Sequence, residues 1–179
     1  MTTHFVADLH LGHRNIIRYC NRPFSSVEEM DEHLIREWNR CVKPTDTVYF
    51  LGDLSFAGQQ KTIEYLNSLN GFKHVVFGNH DKTLRKVLRE QQLVESQQDY
   101  LEIKIDNQFI VLSHYAMRVW NKSYHGSLMF YGHSHGTLPR LDKSLDVGVD
   151  SNDVTNEYRP VSLDEIRHEK CCLIGAKDD

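Results

Sequence analysis

The chain has 179 residues, the length of one ordinary domain, and is 40% hydrophobic and 26% charged. That composition excludes a disordered or fibrous protein, and folding at this size buries roughly 70% of the unfolded surface without staples. The formal net charge of −4 argues against an extended nucleic-acid-binding face, and no apolar run reaches the roughly 18 residues of a membrane span.

Residues 4–7 form an apolar run ending at Asp8, as a buried strand does. Residues 27–42 place Met30, Leu34, Trp38 and Val42 near helical spacing. Ser25 or Ser26 caps that helix, with Glu28 and Glu29 near its positive end. Residues 47–51 are β-branched and aromatic, a second strand, and 59–69 read as a helix stopped by Asn70 and Gly71. Residues 74–77 give a third strand and 82–90 a helix. This β-α-β-α-β-α order is the mark of a parallel sheet.

The second half changes character. Leu101, Ile103 and Ile105 alternate with Glu102, Lys104 and Asp106, and Asn107 turns the chain into residues 109–112. That is a hairpin with one wet face. Residues 128–131 and 145–149 read as short strands, and 162–169 as a last helix. No linker or repeat divides the chain, so residues 1–179 are expected as one α/β domain. Two packed sheets with helices outside are expected, the second sheet rich in antiparallel pairs.

The N-terminus has no basic stretch followed by an apolar core, so no secretory signal is expected and the expected location is cytoplasmic. Cys20, Cys41, Cys171 and Cys172 are then expected as reduced, small apolar residues; their spacing fits no zinc finger or ribbon.

The unusual count is 11 histidines, spread along the chain beside Asp, Asn and Gly. His4 and His74 lie inside strands and read as sheet positions, and His33, His125 and His168 as surface residues. The others follow strand-like runs. Five such runs end in Asp8-Leu9-His10, Gly52-Asp53, Gly78-Asn79-His80-Asp81, Ser113-His114 and Gly132-His133-Ser134-His135. In open α/β sheets the ligand site lies outside the carboxyl ends of the strands. Each cluster alone is an ordinary turn, but five in this order converge on one site.

Asp8, His10, Asp53, Asn79, His114, His133 and His135 supply imidazole, carboxylate and amide donors. That mix suits divalent manganese foremost, with iron, zinc, nickel or cobalt as alternatives. Seven ligands are too many for one open catalytic ion and suit two ions sharing a carboxylate. Two such cations outweigh the two carboxylates and a bridging hydroxide, so the site favours an anion such as a phosphate ester.

The ordered set resembles the calcineurin-like metallophosphoesterase superfamily, in particular its compact bacterial and phage members. The resemblance implies a four-layer αββα sandwich, two mixed β-sheets flanked by helices. It implies that Asp8, His10, Asp53 and His135 hold one metal ion, and Asp53, Asn79, His114 and His133 the other. His80 then faces the substrate and stabilises or protonates the leaving oxygen. Asp81 itself reads as a cap of the helix that follows. The segment from Gly52 to Gly58 lacks the second aspartate and the arginine of the superfamily's serine/threonine phosphatases, which argues against protein-phosphatase activity.

The expected function is a dinuclear metal-dependent phosphoesterase acting on small phosphodiesters or nucleotides, linear or cyclic, by in-line attack of a metal-bridging hydroxide. Its expected partner is a small phosphate ester, with no membrane. A phosphomonoesterase and a non-catalytic protein-binding scaffold of the same fold are the alternatives. His13, Arg14 and Arg118, the last placed one helical turn after His114, are further candidates to face the phosphate. Trp38 and Trp120 are candidates to stack on a base, although Trp38 sits on an apolar helical stripe.

Overall fold

The structure, a computed structural model, describes residues 1–139, 141, 143–151 and 154–174, with no side chains described beyond His168. Cys171 and Cys172 lie outside the described side chains. Strand β1 (Thr3–Val6) leads through helices α1 (Arg14–Tyr19) and α2 (Val27–Cys41) to β2 (Thr47–Phe50). Helix α3 (Gln59–Ser68), β3 (Phe72–Val76), α4 (Lys82–Glu90) and β4 (Ser96–Gln98) follow. The second sheet comprises β5 (Tyr100–Ile105), β6 (Gln108–Ser113), β7 (Leu128–Tyr131) and β8 (Ser144–Asp146). Strand β9 (Val161–Ser162) and α5 (Leu163–Ile174) complete the described chain.

The first sheet runs β4-β3-β2-β1-β9, parallel except for β9. The second runs β5-β6-β7-β8. Both are mixed. The period-2 alternation of β1 sorts its side chains between two cores. Val6 packs with Met30, Leu34 and Trp38 of α2 and with Leu84 and Val87 of α4. Phe5 packs with Ile110, Leu112 and Phe130 of the second sheet. Burying each such side chain contributes about 1.5–3 kcal/mol. Two mixed sheets flanked by helices are therefore what the sequence expected.

Helix α2 starts where its cap residue dictates: the Glu29 N–H donates to Ser26 Oγ at 3.1 Å. The β5–β6 turn places Asp106 and Asn107 both at positive φ, the backbone of a type I′ hairpin.

The back half departs from expectation. Only β5 and β6 are antiparallel; β6–β7 and β7–β8 are parallel. Residues 114–127 and 132–143 each supply the crossover of about a dozen residues that parallel pairing needs. The parallel polarity matters, because it puts the ends of β6 and β7 on one side.

Candidate metal centre

The five polar strand ends meet. Backbone hydrogen bonds tie them together: Asp8 N donates to Gly52 O at 3.0 Å, His10 N to Asp53 O at 3.0 Å, and Gly132 N to His114 O at 3.0 Å. Five of the seven expected ligands, Asp8, His10, Asp53, His133 and His135, have left-handed φ between 47° and 68°. Non-glycine residues in that region cost on the order of 1–3 kcal/mol each and cluster at functional sites. Here the left-handed step turns each side chain from the sheet toward a common centre.

The donors form two groups. Asp8, His10 and His135 each place one ligand atom within 4.8 Å of the others, and Asp53, His114 and His133 do the same. Asp53 lies between them, its Oδ2 3.7 Å from His10 Nε2 and 3.5 Å from His114 Nε2. Asn79 Oδ1 is 3.0 Å from His114 Nε2. Among the described residues, buried Asp8 Oδ1 and both ring nitrogens of buried His10 have no hydrogen-bond partner. Such orphans are costly in a protein interior. A cation among these atoms would pair them, so the residues fit a metal centre.

The electrostatics agree. Burial pushes the Asp8 carboxyl up to about 7 and the His10 imidazole down to about 3. His10 therefore presents a neutral ring with one nitrogen lone pair free, the form that binds metal. Burial works against ionisation of Asp53, but the His114 hydrogen bond and charge, with the His80 N–H, hold its carboxyl below the usual range.

A supporting layer surrounds the donors. His114 Nδ1 lies 2.8 Å from Leu51 O, which leaves Nε2 toward Asp53 and Asn79. His135 Nδ1 lies 2.6 Å from Asp150 Oδ2. Burial opposes protonation of His135, but Asp150 pushes it up to about 10 in the metal-free site. Arg22, 4% exposed, donates from Nε and Nη2 to the two Asp150 oxygens at 2.7 and 2.8 Å. It also donates to Asp8 O at 2.7 Å and Leu9 O at 2.9 Å. Asp146 accepts from the Ser134 hydroxyl at 2.6 Å and from Gly136 N at 2.9 Å, fixing the His133–His135 loop.

Asp81 corrects the expectation of a helix cap. It stands at the N-cap of α4 but makes no side-chain cap bond. Its carboxylate turns back and accepts from Asp53 N at 2.9 Å, Leu54 N at 3.0 Å and Gly78 N at 2.7 Å. Three otherwise unpaired N–H groups of the ligand loops outcompete one helix end. Two glycines make room. Gly52 has φ +96°, and a Cβ there would lie 2.7 Å from His114 Nδ1. At Gly78 a Cβ would lie 2.8 Å from Asp53 N.

His80 is exposed, its ring centroid 4.8 Å from Phe56 and 5.9 Å from His10. Its backbone N–H donates to Asp53 Oδ1 at 2.9 Å. His13 joins His10 and His80 in the wall of a cavity of about 790 Å³. Arg14 and Arg118 are exposed and neither lines that cavity. Residues 114–118 are irregular, not a helical turn. Trp38 is buried core. Trp120 packs against Val111, Met129 and Tyr131 on the second sheet, away from the cavity.

Sequence reading missed Asp150, Arg22, Asp146 and Cys20. Asp150 follows the 145–149 run, the same pattern of a strand end and an acid that located the other clusters. Cys20 is not merely a small apolar residue; it lines the cavity and groups with His135 and Asp150. Both Asp150 oxygens already bind Arg22, so that third group is a scaffold for His135.

A mixed α/β sandwich with imidazole and carboxylate donors converging at its strand ends is an architecture fitted to hold metal ions. The model of the calcineurin-like phosphoesterase superfamily domain matches residues 1–147, and the chain belongs to that superfamily. It is 37% identical over 172 residues to an uncharacterized protein of Methanocaldococcus jannaschii, covering 91% of this chain and 88% of that protein. It is 26% identical over 192 residues to the gene 66 protein of Mycobacterium phage D29, covering 91% and 92%. A crystal structure of an Aquifex aeolicus protein of unknown function superposes with TM-score 0.71 and 26% identity, over 93% of this chain and 98% of that one. Among the described residues no helix is long and apolar enough to cross a membrane.

Proposed function

We propose that this protein is a dinuclear metal-dependent phosphoesterase that hydrolyses small phosphodiesters or nucleotides, linear or cyclic. The observation that carries the reading is the place of Asp53 Oδ2, within 3.7 Å of His10 Nε2 and 3.5 Å of His114 Nε2, between two donor groups. On this reading Asp8, His10, Asp53 and His135 hold one divalent cation, manganese foremost. Asp53, Asn79, His114 and His133 hold the second. Once bound, two such cations lower the pKa of water and offset charge on phosphoryl oxygens.

The remaining steps belong to the chain. Leu51 O and Asp150 set the ring orientations of His114 and His135. Asp81 and the His80 N–H hold the Asp53 loop and its second oxygen, so Asp53 cannot rotate away. His80 stands outside both donor groups, in the cavity wall, and gives a proton to the departing oxygen. Phe56 and His10 confine its ring. The presence of His80 with all seven ligands supports an enzyme over a non-catalytic scaffold.

The test is hydrolysis of a panel of mono-, di- and cyclic nucleotides by protein reconstituted with manganese. Turnover of diester or nucleotide substrates, abolished by a chelator and restored by manganese, is expected. No turnover anywhere in the panel, with both ions bound, would overturn the reading.

A further inference from the structure

The second sheet ends on β5, which pairs with β6 on one side and, among the described residues, with no strand on the other. It is six residues long, while the other edge strands, β4, β8 and β9, have three, three and two. An open edge is usually guarded by short strands, proline, bulges or like charge. β5 has no proline, its register with β6 is unbroken, and its two charges, Glu102 and Lys104, are of opposite sign. The Asp106–Asn107 turn makes Ile105 and Gln108 a hydrogen-bonded pair, so Leu101, Ile103 and Ile105 turn their backbone groups to β6. The backbone N–H and C=O groups of Glu102 and Lys104 point outward. The side chains of Leu101, Ile103 and Ile105 pack on the inter-sheet core but are only partly buried, so the apolar row is unfinished at this edge.

We propose that β5 is an interface between two copies of this chain, paired antiparallel about a two-fold axis at Ile103, so that the four-stranded sheet of one continues into that of the other. A two-fold interface is isologous, so the strand must be complementary to itself. Register decides whether it is. Side chains directly opposite each other share a face, so the axis passes through a residue. An axis at Glu102 or at Lys104 sets like charges opposite each other, and an axis nearer either end pairs fewer residues. An axis at Ile103 sets Glu102 opposite Lys104 twice and Leu101 opposite Ile105 twice, with Ile103 opposite itself. The same register joins the outward backbone groups of Glu102 and Lys104 and brings the two unfinished apolar rows together. Among the described residues neither charge is in a salt bridge. Lys104 Nζ lies 5.7 Å from the Phe109 ring centroid, and Glu102 accepts from the Tyr100 hydroxyl and Asn121 Nδ2. Asp106 pairs with Arg167 at 3.1 Å, so the strand pairing ends at Ile105.

The test is the mass of the full chain in solution, by sedimentation equilibrium across a wide range of concentrations. A reversible dimer of the native chain is expected. Lys104→Glu and Glu102→Lys each set like charges opposite each other and should weaken it on the order of tenfold or more. The double reversal restores both pairs and should recover native dimerisation. Both side chains are exposed, and recovery in the double variant separates lost pairing from a folding defect in either single one. Ile103→Cys reads the register. The two Cα atoms of that non-hydrogen-bonded pair would lie about 4.5 Å apart, within disulfide reach. Mild oxidation should therefore link two chains of this variant far more readily than two native chains. A native chain that stays monomeric throughout would overturn the proposal. So would a dimer that neither single reversal weakens, since its interface would lie elsewhere. A double reversal as weak as the single ones would overturn the Glu102–Lys104 pairing, and an Ile103→Cys dimer that fails to link would overturn the register.

Discussion

Asp150 accepts from Arg22 with both oxygens and lies 2.6 Å from His135 Nδ1, so a buried arginine fixes the imidazole that faces Asp8. The same arginine binds the Asp8 and Leu9 carbonyls and holds the first ligand loop. Asp150→Asn should lower metal affinity about 10- to 100-fold, the usual effect of losing a histidine's outer partner. Asp150→Ala should also lose about 3–5 kcal/mol of stability, because Arg22 stays buried and unpaired. Metal titration and chemical denaturation of the two variants read these effects. Native metal affinity in Asp150→Asn would remove Asp150 from the centre.

Gly78 should not tolerate a side chain. A Cβ there would lie 2.8 Å from Asp53 N and 2.9 Å from Asp53 Cγ, and neither can give way without moving the shared ligand. Gly78→Ala is expected to cost about 1–3 kcal/mol and to weaken metal binding at least tenfold. Thermal melts with and without manganese check both. A variant with native stability and metal affinity would mean that the Asp53 loop is softer than its packing implies.

His80→Ala should keep the fold and both ions but lose about 10²–10⁴-fold in kcat. The loss should depend on the leaving group. A ribose alkoxide needs a proton, whereas a nitrophenolate departs without one. The nucleotide diester should therefore suffer more than the nitrophenyl ester, provided chemistry limits both. Equal losses would assign His80 to charge stabilisation instead, and loss of an ion would place it in the ligand set.

Far from the centre, Ser162 and Glu165 form a capping box: Glu165 N donates to Ser162 Oγ at 3.2 Å and Ser162 N to Glu165 Oε2 at 2.7 Å. Burial works against the Glu165 charge, but Arg159 and Ser162 hold its carboxyl down to about 2. A depressed acid stabilises the fold above its unfolded value near 4.5 and loses that contribution as pH falls toward 2. Glu165→Gln should be less stable by about 1 kcal/mol at pH 7, after allowance for solvent screening, and the gap should close between those values. Denaturation of both proteins across pH reads it; a pH-independent gap would contradict the assignment.

The ligand set was legible because each member follows a strand-like run, and chain order alone brings such ends together. Asp150 obeys the same rule yet was missed, because the 145–149 run was read as a strand without reading its end. Arg22 was invisible for a different reason: a buried, fully paired arginine has the same sequence appearance as a surface one. Asp81 was misread because a neighbouring helix start suggests a cap, while two of the N–H groups it serves lie 27 and 28 residues earlier. The parallel pairing of β6, β7 and β8 left no mark either. Short buried strands look alike in both directions, and only the crossovers carry the polarity.

The central claim is two cations per chain sharing Asp53. Its most direct measurement is manganese content, by elemental analysis of native and Asp53→Ala protein after equilibration with the metal. The account predicts two ions per native chain, and loss of the pair together with activity in Asp53→Ala. One ion per native chain, or an Asp53→Ala protein that keeps both ions and near-normal turnover, would contradict it.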